Sequence, residues 1–136
     1  RPAARGHTAR DGAVRLRQGA LPDGAALRLV RLLGAVSKRG NVISNNLANA
    51  NTPGFTPDRV EFESRLREAL QRGESIDAIK PELIKDTTGP VSPDGNSVVL
   101  EDEMGSMLEN RMRYETFASI LEAQFELVRS SIQEGR

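Results

Sequence analysis

Two runs of small and apolar residues, each alternating at three- and four-residue spacing, leave this chain little choice of fold. The first is Ala26, Leu29, Leu33, Val36, Gly40, Ile43, Leu47 and Ala50; the second is Met104, Met107, Arg111, Tyr114, Ala118, Leu121, Phe125, Val128 and Ile132, broken only by Arg111. Such spacing puts a single seam along one side of a helix. Two seams of this kind predict a mainly α chain: elongated antiparallel N- and C-terminal helices, coiled-coil-like, with an irregular middle segment. The first helix is expected over 24–52, stopped at Thr52-Pro53-Gly54 because Pro lacks an N–H and clashes with the preceding turn. Residues 53–97 form the middle segment, 98–133 the C-terminal helix, and 24–133 together one structural unit. Residues 1–23, rich in Arg, Gly and Ala without period, read as a flexible basic tail. Asp23 is the expected cap of the first helix and Asn96 or Ser97 that of the second. In the middle, Val60, Leu66 and Leu70 allow a short helix ending at Gly73, and Glu82 to Lys85 is a β-capable run, so the segment carries at most a hairpin.

The expected packing positions are Leu29, Leu33, Val36, Ile43 and Leu47 on the first helix. On the second they are Met104, Met107, Tyr114, Leu121, Phe125, Val128 and Ile132. Leu108, Met112, Phe117, Ile120 and Leu127 widen the second apolar surface beyond a two-stranded seam, which implies more than one partner. A helix of this length runs to roughly 50 Å, against about 37 Å for the diameter of a compact chain of this size. The core is therefore expected to be completed by neighbouring subunits.

Chemistry of other kinds finds little footing. The chain has one His, His7, and no Cys, so there is no triad, no thiolate metal site and no proton relay, and nothing resembles a phosphate-binding loop. No catalytic, cofactor-binding or metal-ligating residue is assigned, and an enzyme is not expected. Glu101, Asp102 and Glu103 read as compensation of the positive helix end rather than a Mg²⁺ or Ca²⁺ site, since adjacent helical positions point in different directions. Lys and Arg number 19 against 19 Asp and Glu, but residues 1–39 hold nine basic and two acidic side chains while the remainder holds ten and seventeen. That division suits head-to-tail self-association, and equally a basic tail on nucleic acid or an acidic surface, whose mark would be salt-dependent binding. Leu27 to Val36, interrupted by Arg28 and Arg31, is neither a membrane span nor a secretory hydrophobic region.

Asn41, Asn45, Asn46, Asn49 and Asn51 fall within eleven positions of a predicted helix, where Asn is a poor former because its amide competes for backbone bonds. Either this is a frayed end leading into Pro53, or Asn45 and Asn49, one turn apart, bond across to a neighbouring helix and fix its register. The stretch Val42 to Phe55, VISNNLANANTPGF, resembles the N-terminal signature of the bacterial flagellar axial proteins, carried here by Asn45, Asn46, Asn49, Asn51, Pro53, Gly54 and Phe55. The stretch from Asp94 to Ile132 is similar to the C-terminal helix of the proximal rod subunits, through Asp94-Gly95-Asn96, Glu103-Met104, Asn110, Arg113-Tyr114 and Phe125. The resemblance implies a non-enzymatic structural subunit of the flagellar basal-body rod, without cofactor, whose terminal helices pack in the inner layer of the rod and pass on motor torque. It implies export through the flagellar type III apparatus and assembly in the periplasm on the inner-membrane ring. The implied partners are other rod subunits, itself and the rod–ring junction protein, with no nucleic acid and no small-molecule substrate. The second proximal rod protein is the nearest alternative within the same family.

Overall fold

The computed structural model describes residues 24–135, so the basic tail and the capping role expected of Asp23 lie outside the described residues. In chain order the elements are helix α1 (Ala25–Ala48), strand β1 (Asp58–Glu61), helix α2 (Glu63–Gln71), a single 3-10 turn (Ile76–Ala78), strand β2 (Glu82–Lys85) and helix α3 (Leu100–Glu134). The two long helices pack antiparallel. Near one end of the contact Asn46 reaches Glu103, and further along the Val36 to Gly40 turn meets Asn110. At 1.5 Å per residue α1 is roughly 36 Å long and α3 roughly 52 Å. Extending the register places the start of α1 level with the Leu121 to Phe125 turn, so the last turns of α3 run past the described end of α1.

The α1 seam faces inward: Leu29, Val36 and Ile43 are buried, and Leu33, Gly40 and Leu47 are half-buried. The α3 seam does not. Met104, Met107, Tyr114, Phe125, Val128 and Ile132 are exposed, and of the expected α3 positions Leu121 alone is half-buried. The face that α3 turns inward is Glu103, Asn110, Phe117, Leu121 and Gln124, with Ser131 beyond. That stripe has the same heptad spacing, set back one residue, a rotation of about 100°. The rotation is fixed by polar contacts. Asn110 Nδ2 donates to the Val36 carbonyl at 2.9 Å, and a Cβ built on Gly40 would lie 3.2 Å from that same nitrogen.

The middle segment folds against α1. β1 pairs antiparallel with β2, Asp58 opposite Lys85 and Glu61 opposite Glu82, with α2 and the 3-10 turn enclosed between the two strands. α2 ends as Gly73 takes up φ 67°, a left-handed conformation that glycine enters without steric cost. β1 packs on α1, and Val60, Phe62, Ala69 and Ile76 are all buried. Arg39 of α1 grips both ends of this junction: its guanidinium holds the Glu63 carboxylate with two N–H groups and donates to the Val60 carbonyl.

Candidate assembly site

α1 stops at Ala48, four residues before the expected boundary, and the Asn-rich sequence turns there in a defined geometry rather than fraying. Asn49 Nδ2 bonds back to the Asn45 carbonyl at 2.8 Å, a second donor to an acceptor that also takes the Asn49 backbone N–H. Asn45 and Asn49, expected as a pair reaching across to a neighbouring helix, bond to each other within the chain, and Asn45 is exposed. The crossing residue is Asn46, which is 1% exposed. Its Nδ2 donates to the Asp58 carbonyl at 2.8 Å and its Oδ1 accepts from the Asp58 N–H at 2.9 Å. An amide side chain here pairs with a peptide group as a neighbouring strand would, and so sets β1 down on α1. The same Nδ2 lies 3.3 Å from Glu103 Oε1 on α3, so a single side chain ties three elements together.

Asn96 completes the arrangement from the other side. It does not cap α3, whose N-cap is Val99 with no side-chain cap. Instead its Nδ2 donates to the carbonyls of Asn49 at 2.9 Å and Thr52 at 2.8 Å, closing the C-terminal end of α1, and its Oδ1 accepts from the Val98 N–H. The two turns are laced by backbone bonds from Gly54 to Asp94 and from Ser97 to Phe55. They approach so closely that a Cβ on Gly95 would stand 3.2 Å from the Gly54 Cα. Both glycines have positive φ, 73° and 84°. Gly95 faces both demands, a left-handed backbone and no side chain at the crossing, and Gly54 the first of them. Asn51 and Pro53 remain exposed on the outside of the turn, while Phe55 is half-buried with Lys85 Nζ 5.6 Å from its ring centre.

Electrostatics follow from burial. Desolvation pushes the Glu103 carboxyl above the usual glutamate value; the Asn46 bond opposes this, and the neighbouring charges of Asp86 and Asp102 add to it. Glu63 goes the other way: its bond from the Arg39 guanidinium holds it low against partial desolvation. Among the described residues no three His, Cys, Asp or Glu side chains are grouped to hold a metal. No described helix is long and apolar enough to cross a membrane. What the arrangement offers is a rigid, amide-bonded turn beside a long helix with an outward apolar face.

Sequence reasoning singled out Asn46 but gave its reach to its neighbours, and missed Asn96 as a clasp and Asn110 as the rotational lock. A polar amide in the middle of a helical heptad was the available signal for Asn110. Residues 33–56, which contain the turn, match the family described as flagella basal body rod protein. The chain is 30% identical to the flagellar basal body rod protein FlgB of Yersinia ruckeri, over 83% of this chain and 96% of that protein. It is 30% identical to FlgB of Borrelia hermsii, over 72% of this chain and 87% of that protein. Against FlgB of Yersinia enterocolitica the identity is 27%, over 83% of this chain and 96% of that protein.

Proposed function

This chain belongs to the FlgB family of flagellar basal body rod proteins, and on that premise we propose that it is a subunit of the proximal rod, joined to its neighbours by helix packing and transmitting motor torque. The family is a structural one, placed in the flagellar basal body. The observation that carries the finer reading is the outward face of α3. Met104, Leu108, Met112, Phe125, Val128 and Ile132 are all exposed on one 35-residue helix, far more large apolar side chain than a solitary helix leaves in water. Neighbouring subunits would bury that face at about 25 cal/mol per Å², and the amide-bonded turn would hold α1 and α3 at a fixed rotation so that load passes through a stiff pair. The partners in this reading are other rod subunits, further copies of the chain, the rod–ring junction protein and the inner-membrane ring. Delivery is by the flagellar type III apparatus, and the working location is periplasmic.

The test is genetic and structural together. Deleting the gene should leave cells with an inner-membrane ring and no rod beyond it, visible by electron cryotomography, and restoring the chain should restore the rod. Complete rods in the deletion strain would remove the reading.

A further inference from the structure

Three glycines lie inside the long helices, and their surroundings differ. Gly40 is explained within the chain, since Asn110 occupies the space where its Cβ would be. Gly34 in α1 and Gly105 in α3 have nothing within 4 Å of that position. Glycine inside a helix is less favourable than Ala, and at Gly34 no described contact within the chain calls for it. Gly34 opens onto a groove of about 360 Å³. Gly34 and Ala35 of α1 line it together with Phe62, Ile79 and Pro81, and the charged residues of its lining are Arg31, Lys80 and Asp77. Arg31 donates to the carbonyls of Ile76 and Asp77.

We propose that this groove receives the Phe125 turn of α3 from a second copy of the chain. Phe125 is 59% exposed and flanked by Glu122 and Glu126; from Tyr114 to Val128 there are three Glu and no basic residue. At the groove, Arg31 and Lys80 outnumber the one acid in the lining, Asp77. An aromatic knob flanked by negative charge thus meets an apolar slot with an excess of positive charge, a pairing that gives both orientation and burial. The knob has to come from another molecule. In the chain's own antiparallel register Gly34 stands level with Thr116, more than two helical turns from Phe125. The inference rests on the reading of the chain as a subunit that meets copies of itself.

Sedimentation velocity on the full chain, at low salt and over a range of concentrations, tests it. Gly34→Leu fills the groove with a side chain that starts in open space, so its melting temperature should hold or rise while self-association weakens by roughly tenfold or more. Phe125→Asp should do the same from the knob side. Lys80→Glu should weaken association and Glu126→Lys, combined with it, should restore it, which a purely structural effect would not do. Unchanged association in both Gly34→Leu and Phe125→Asp, or a wild-type chain that stays monomeric throughout, overturns the proposal. The two readings fail separately. Rods that still require the gene but tolerate Gly34→Leu remove this docking site alone, whereas rods formed without the gene remove the rod subunit reading itself.

Discussion

At the scale of single residues, the fold depends on side-chain amides doing the work of peptide groups. Asn46 and Asn45 are adjacent and chemically identical, yet only one spans elements. Asn46→Leu should cost about 2 to 4 kcal/mol, because the Asp58 N–H and carbonyl lose their partner in a buried setting. Asn45→Leu, at an exposed site, should stay within about 0.5 kcal/mol; urea unfolding followed by circular dichroism separates the two. Glu103 gives a pH signature. Its carboxyl is raised by desolvation in the folded chain, so the fold binds its proton more tightly than the unfolded chain does. The stability it confers is fully present below the ordinary glutamate value of 4.5 and is lost as pH rises through the higher folded value. Glu63, held low by Arg39, has the opposite dependence: its stabilisation is present above 4.5 and lost as pH falls through the folded value. Glu103→Gln keeps an acceptor for Asn46 and removes the desolvated charge. It should therefore flatten the decline above 4.5 and leave the acid limb set by Glu63 in place, as thermal melts across pH will record.

At the scale of elements, α1 and α3 illustrate how two equally periodic helices can behave differently. The α1 seam faces inward because the exposed side of that helix carries mostly small and polar residues, Arg28, Gly34, Ser37, Lys38, Asn41, Ser44 and Asn45 among them, and offers less to bury. α3 has apolar residues on more than one face, so periodicity gave its length and period but not its rotation; Asn110 against Val36 and Gly40 chose the stripe one residue back. A matched pair of substitutions checks this. Gly34→Ala, with open space at its Cβ, should raise stability by about 0.8 kcal/mol through helix propensity. Gly40→Ala should forfeit that gain or reverse it, because the new methyl meets a buried amide held by its own hydrogen bond. Equal stabilisation by the two in chemical denaturation would show that Asn110 does not set the rotation.

At the scale of the whole molecule, the chain pairs an amide-rich interior with an apolar exterior. Buried positions include Asn46, Asn96, Asn110 and Gln124, while six of the seven expected α3 packing residues face outward. Association would bury that exterior, so the melting temperature of the full chain should rise with protein concentration, by the mass action that couples assembly to folding; a concentration-independent melt would speak against a subunit role. Local periodicity and glycine's freedom were enough to specify the two long helices, their antiparallel pairing across a short middle segment and the helix before Gly73, whereas α1 ends at Ala48, ahead of Pro53, so proline sterics did not set its stop. The family was legible too, in the turn from Val42 to Phe55. Only the tertiary structure decided which Asn crosses between elements, that Asn96 closes one helix rather than opening the next, and which stripe of α3 faces inward. Those choices depend on where a donor in one element lies relative to an acceptor far away in sequence, and no spacing within either segment encodes that distance.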